Sequence, residues 1–204
     1  VKVPATIVFL LSPASCAGVR ARQLMKSRTS PLAARLRAEG AALGEVFTFM
    51  SSLYFRGKLA YASAFGTPPA GWSATLVIAP GRGLVAADTV IRLRDLEAMA
   101  TVPVDPDVQA YREPLLRDAT TLEAALGADG RAVLLGSVAT DKYVGPLGDV
   151  LGERLLFPIA FVGRGDMSRG GLMLRCARGG TALEYVPVQG AERHGERPPR
   201  LSRL

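Results

Sequence analysis

The chain is poor in the residues that most often do chemistry on their own. It has two cysteines, Cys16 and Cys176, and one histidine, His194. Two cysteines so far apart make neither a disulfide framework nor a zinc-ligand spacing. A lone histidine in a basic C-terminal stretch leaves Ser-His-Asp and Cys-His mechanisms without support. No GxxxxGK[ST] loop, HExxH helix or GxGxxG turn after the first strand is present, which argues against an ATPase, a zinc hydrolase and an ordinary dinucleotide oxidoreductase. No metal and no cofactor are expected. The first apolar run, Val3 to Leu11, is too short to span a bilayer and is punctuated by Pro4 and then Ser12-Pro13. It reads as a strand and not as a signal peptide, and no membrane partner is expected; with no disulfide framework, a reducing cytoplasm is the expected compartment.

Lysine is scarce too. Lys2, Lys26, Lys58 and Lys142 are the only ones in a combined Lys and Arg count of 25, and the net charge is +7. Arginine's planar fork suits phosphate and carboxylate recognition. Genome composition explains the excess equally simply, because Ala, Gly and Pro are abundant as well.

What is present is apolar material for one core, 49% of 204 residues. Thr6–Leu11, Ala74–Ala79, Arg131–Gly136 and Leu155–Phe161 are short continuous apolar runs, the pattern of strands buried on both faces, the last bent at Pro158. Helical segments separate them. Ser30-Pro31 caps "LAARLRAEG", "LGEVFTFMSSLYFRGKLAYASAFG" reads as two helices broken near Tyr54 to Gly57, and "REPLLRDATTLEAALG" ends at Gly127. "GLMLRCARGGTALEYVPV" reads as two strand-like halves around Arg178-Gly179-Gly180. The fold class is therefore α/β, a three-layer sandwich with a mostly parallel central sheet and a C-terminal antiparallel hairpin. Residues 1–189 form the single domain and 190–204 a basic flexible tail.

In such a sheet, ligands bind outside the carboxyl ends of the strands. The first strand delivers Ser12, Ser15 and Cys16 to that rim, the second Gly81, Arg82, Gly83 and Asp88, and the third Ser137, Thr140, Asp141, Lys142 and Tyr143. Hydroxyls, cations, a carboxylate and glycines that expose backbone N–H groups suit an anion or a heterocycle with a ribose. Arg56 and Lys58, set within the aromatic run "LYFRGKLAYA", either snorkel from a helix edge or supply positive charge to a phosphate. Arg164, in the glycine-rich "GRGDMSRGG", belongs to a basic loop over the rim. Each site residue has a plainer reading as well. Gly81-Arg82-Gly83 serves equally as a strand-ending turn, Asp88 as a cap, and Cys16 as an inert small residue.

"FLLSPASC", "LYFRGKLAYA" and "LVIAPGRGLVAADTVI" together resemble the layout of small bacterial proteins and of a domain in archaeosine synthases. In these a first strand ends in a Pro/Ser-Cys-Ser-type turn, a Leu-Tyr-x-G-like helix follows, and a second strand ends in a Gly-Leu-x-x-x-Asp-like loop. The likeness spans roughly the first 95 residues in order, with "GSVATDKY" as a third-strand counterpart. The turn here is Ser-Pro-Ala-Ser-Cys where the family has a basic Cys-Ser-Lys-type form. That family is similar in fold to uracil-DNA glycosylases and is tied to modified nucleobases or nucleic acid. The expectation is then a nucleotide-, nucleobase- or nucleic-acid-binding protein, with N-glycosidic bond chemistry centred on Asp88 as its enzymatic form. A non-catalytic nucleic-acid-binding protein and an assembly subunit stand as alternatives.

Overall fold

The computed structural model describes residues 6–199. Its centre is a six-stranded sheet in the order β4-β3-β1-β6-β7-β8. The four interior strands are β3 (Thr75–Ala79), β1 (Ile7–Leu11), β6 (Arg131–Leu135) and β7 (Leu155–Pro158), and they run parallel. These are the four strands expected from the apolar runs, and they are adjacent. Antiparallel β4 (Gly83–Ala86) and β8 (Tyr185–Pro187) close the two edges. A separate two-residue ladder joins β2 (Ala41–Ala42) to β5 (Val90–Ile91).

Strand residues point alternately to opposite faces, so an unbroken apolar strand feeds two cores. Phe9, Leu11, Val77 and Val133 enter one core, with residues from α1 (Val19–Lys26), α2 (Pro31–Ala38), α3 (Leu43–Phe65), α4 (Leu93–Ala100) and α7 (Asp166–Gly179). Val8, Leu10, Ile78 and Leu134 enter the other, beneath α5 (Gln109–Leu126) and α6 (Asp141–Leu151). This is the three-layer α/β arrangement. Among the described residues, no helix is long and apolar enough to cross a membrane.

Local signals explain several boundaries. The Ser30 side chain accepts from Ala33 N–H at the start of α2, and Pro31 occupies the first turn, where its missing donor is harmless. Gly127 follows α5 with φ 63°, a conformation that favours glycine.

Two segments differ from expectation. The break in α3 falls at Ser52, whose φ of 48° and ψ of −121° depart from helix geometry, and not at Tyr54 to Gly57. Beyond it Tyr54, Phe55, Lys58 and Tyr61 all turn inward at helical spacing. The stretch Gly171 to Arg178 is helical, because Arg169, Gly170, Met173 and Leu174 form the buried side of α7 against α3. The C-terminal antiparallel pair is instead β7 with β8, on either side of that helix. Gly81-Arg82-Gly83 takes the plainer of its two readings: Gly81 and Arg82 lie in the turn of a hairpin that ends β3, Gly83 opens β4, and Arg82 N–H donates to the Ala79 carbonyl at 2.9 Å.

Residues 190–199 run back over the surface. Arg193 pairs with Asp141 at 3.0 Å, and the backbone at Glu196 lies so close to Gly163 that a side chain there would collide with it. Arg200 and Arg203, counted in the basic tail, lie outside the described residues.

Candidate functional site

The chain passes from β1 to β3 on one side of the sheet and then crosses to β6 on the other. The point where strand order reverses, between β1 and β6, is where open α/β sheets hold ligands. Ser12 follows β1 and Ser137 follows β6, so both sit at this point. Ser12 N–H makes the last rung to the Leu135 carbonyl at 3.2 Å, and Pro13, which has no N–H, ends the strand. Gly136 lets the two loops close together, since a Cβ there would lie 2.8 Å from the Ser12 Cβ.

A cavity of about 460 Å³ opens above, lined by Ser12, Ser15, Tyr54, Ser137, Tyr143 and Asp166 among others. The first turn of α1 forms part of its wall through Gly18, Val19 and Arg20. Gly18 offers no side-chain cap and that turn carries no acidic residue, so its first-turn N–H groups are without intrahelical acceptors at a position that favours negative charge.

Behind Ser12 lies Lys58, 1% exposed. Its Nζ donates to Ser12 Oγ at 2.7 Å and to the Ser12 carbonyl at 2.9 Å, and lies 3.9 Å from the centre of the Tyr54 ring. Burial pushes the amine down to about 7, with Asp166 opposing that shift and Arg169 adding to it. Burial also raises Tyr54 above the ordinary phenol range and Tyr143 to about 12, the latter opposed by contact with Ser12. The Tyr54 hydroxyl is buried and makes no well-formed hydrogen bond, the Arg169 guanidinium being the group that approaches it. Arg169 is itself buried, donating twice to the Phe161 carbonyl, at 3.0 and 3.2 Å, and lying 3.6 Å from Asp166.

Glycine contact between helices sets this geometry. A Cβ on Gly57 would lie 2.6 Å from the Gly170 carbonyl oxygen, and one on Gly170 would lie 2.8 Å from the Leu53 carbonyl oxygen. Only a pair of glycines lets the backbones of α3 and α7 approach this closely. The contact brings Tyr54 and Lys58 from one helix against Asp166 and Arg169 from the other.

Of the residues expected at the rim, Ser12, Lys58, Ser137 and Tyr143 come together. Cys16 is buried beside a neighbouring hollow; its thiol faces the Ala14 carbonyl at 3.6 Å, and burial raises it to about 12, so it is no thiolate nucleophile at neutral pH. Lys142 lines that second hollow with Tyr143, while Thr140 is exposed just before α6. Arg56 lies on the exposed side of α3, the snorkelling alternative, and away from its buried neighbour Lys58. Arg164 fastens the approach to α7 by donating to the Ala160 carbonyl and Ser168, and lines a different hollow.

The second-strand residues fall elsewhere. Arg82 pairs with Asp95 at 2.8 Å. Gly81 takes φ 73° in the hairpin turn, and Gly83 is packed so tightly against α5 that a Cβ would strike the Asp118 carboxylate and the Pro114 carbonyl. Asp88 does not return to the rim. Because β4 runs antiparallel to β3, it carries the chain back toward the amino end of the sheet, where Ala87 N–H donates to the Thr75 carbonyl. Asp88 is exposed there, at the opposite end of the strands from Ser12.

The residues missed as one site are Tyr54, Asp166 and Arg169. The sequence signal for Asp166 is an acidic residue just after Gly165, a helix-start pattern within a glycine-rich stretch. Compared with family models, with curated proteins and with solved structures, the chain finds no match in any of the three.

Proposed function

We propose that the cleft between the ends of β1 and β6 binds a nucleobase or nucleotide, and that its enzymatic form acts on an N-glycosidic bond. The observation that carries this reading is the convergence of Ser12, Ser137, Tyr54, Tyr143 and Asp166 on one cavity at the strand-order reversal. Hydroxyls at the strand ends can accept from and donate to the edge of a heterocycle. The first turn of α1 favours an anionic group such as a phosphate. The carboxylate of the glycosidic reaction is then Asp166, which faces the same cavity, in place of Asp88. It would stabilise positive charge developing on the sugar or orient the attacking water.

The alternative of a nucleic-acid surface made of arginine draws less support, because many of the arginines are already engaged. Arg37 holds the carbonyls of Met25 and Ser27, Arg131 those of Ala128 and Gly130, and Arg35, Arg112 and Arg154 pair with Glu45, Asp149 and Glu123.

A thermal-shift panel of free bases, nucleosides, nucleotides and short oligonucleotides tests the reading. A ligand at a hundred times its dissociation constant stabilises by about 2.7 kcal/mol. Nucleosides that shift the melting temperature are then followed for release of free base. A panel in which no base, nucleoside or nucleotide stabilises the protein overturns the proposal, and a response to oligonucleotides alone transfers it to the nucleic-acid alternative.

A further inference from the structure

The nucleobase reading uses Ser12 but leaves its partner Lys58 without a role. Ser12 faces the cavity, whereas Lys58 does not; it sits behind the serine, fully enclosed, with its Nζ 2.7 Å from Ser12 Oγ. Its other close partners are the Ser12 carbonyl and the Tyr54 ring, and no carboxylate lies within ion-pair distance of it among the described residues. A buried amine without a counter-ion is costly to keep charged. In the structure the amine donates to Ser12 Oγ and the hydroxyl donates weakly to the Leu135 carbonyl at 3.4 Å; once the amine is neutral, its 2.7 Å separation lets the hydroxyl turn its proton to Nζ, the arrangement of a base beside its nucleophile.

We propose that Ser12 is a nucleophile with Lys58 as its general base, and that the pair transfers acyl groups from carboxylic esters. Ser12 Oγ attacks the ester carbonyl carbon, and its proton passes to Lys58 Nζ as the Oγ–C bond forms. The bond from that carbon to the alcohol oxygen then breaks, and the leaving alcohol takes the proton from Lys58. Water attacks the acyl-serine, gives its proton to Lys58, and the carboxylic acid departs as Ser12 Oγ recovers the proton. The N–H groups of the first turn of α1, which have no intrahelical acceptors, lie on the same cavity wall and can face the tetrahedral oxyanion.

The charge environment of Lys58 supports the role. Ser12 faces it from the end of β1, Tyr54 and Phe55 from α3, and Asp166 and Arg169 from α7, with Tyr143 of α6 acting on Ser12. Burial outweighs the Asp166 attraction, so the amine titrates near neutrality and is partly free to accept a proton there. At low pH, the same amine donates to Ser12 Oγ and holds the hydroxyl in place.

The proposal does not rest on nucleobase binding: the ligand panel can fail while Ser12 still reacts, and the reverse. The test is labelling of the full chain with a fluorophosphonate, with the adduct located by peptide mass spectrometry. The expected result is one adduct, on Ser12, formed at a rate that rises with pH through a midpoint near 7. Ser12→Ala removes it, and Lys58→Met slows it by about 100-fold or more while still unfolding cooperatively. p-Nitrophenyl acetate hydrolysis by the wild type should follow the same pH profile. An adduct absent from Ser12, or found instead on its exposed neighbour Ser15, overturns the proposal, as does a folded Lys58→Met variant labelled at the wild-type rate. If Lys58→Met does not fold, the wild-type profile decides: a labelling rate flat from about pH 6 to 9 rejects Lys58 as the base.

Discussion

Gly57 and Gly170 meet with no room for a side chain between them, and this contact positions both halves of the cleft floor. A methyl group at position 57 would lie 2.6 Å from a backbone oxygen, where no flexible atom can move aside. The two helices would have to separate, taking Tyr54 and Lys58 away from Asp166 and Arg169. Gly57→Ala should therefore destabilise by about 1–3 kcal/mol, the scale of overpacking, despite alanine's better helix propensity. Urea unfolding measures this; an unchanged or raised midpoint would show that the α3–α7 approach is not tight.

Lys58 makes stability depend on pH in a definite direction. Folded, it titrates near 7; unfolded, it holds its proton to its ordinary value of 10.5. Between these values, the unfolded chain binds more protons, so stability rises with pH. The cost of burying the charged amine is fully present below about pH 7 and fades as pH approaches 10.5. Wild type should gain on Lys58→Met with a slope approaching about 1.4 kcal/mol per pH unit between pH 7 and 9. Denaturant titrations of both proteins at several pH values check this, and a constant difference would mean that the amine stays charged throughout.

The same residues show what a sequence does and does not disclose. The four parallel strands were legible because burial on both faces leaves an unbroken apolar run, and Ser12 and Ser137 followed from strand ends alone. The position of Asp88 is not legible in the sequence, because the hairpin after Ala79 reverses the chain and nothing in "GRGLVAAD" distinguishes a rim loop from a turn into an antiparallel strand. Tyr54 and Asp166 share a cavity through a glycine contact between distant helices, which no local pattern encodes. Lys58 and Arg56 are two residues apart and read alike, yet helical phase buries one and exposes the other. The arginine excess was ambiguous in composition; in the structure, Arg37, Arg131 and Arg169 serve carbonyl oxygens of the chain itself.

Arg82 supplies a direct contrast between the two levels. As a ligand contact, its loss would weaken binding by roughly 1.5–3 kcal/mol, the scale of a hydrogen bond to a charged group. In the structure, it pairs with Asp95, whose carboxylate also accepts from Arg92 N–H at 2.7 Å. The pair is well exposed, and such pairs contribute at most about 1 kcal/mol. Arg82→Ala should thus leave stability within about that margin and leave affinity for a cleft ligand unchanged. Isothermal titration of the variant with the best ligand of the panel is the check, and a tenfold loss of affinity would return Arg82 to the site.

Asp166 and Asp88 divide the carboxylate question. Asp166 lines the cavity beside Tyr54 and Tyr143, and its only ion-pair partner among the described residues is Arg169, at 3.6 Å and with poor reach. It is therefore available to a ligand. Asp88 is exposed beyond β4 at the far end of the sheet and borders none of the hollows described above. If the cleft cleaves an N-glycosidic bond, Asp166→Asn keeps the shape of the side chain and removes its charge, and should lower the rate of base release by about 100-fold or more. Asp88→Asn should change neither rate nor melting temperature. Both variants are assayed on the same nucleoside, with thermal shift run in parallel to separate binding from chemistry. Loss of activity in Asp88→Asn with Asp166→Asn unaffected would move the reaction to the opposite end of the strands and remove the β1–β6 cleft as its site.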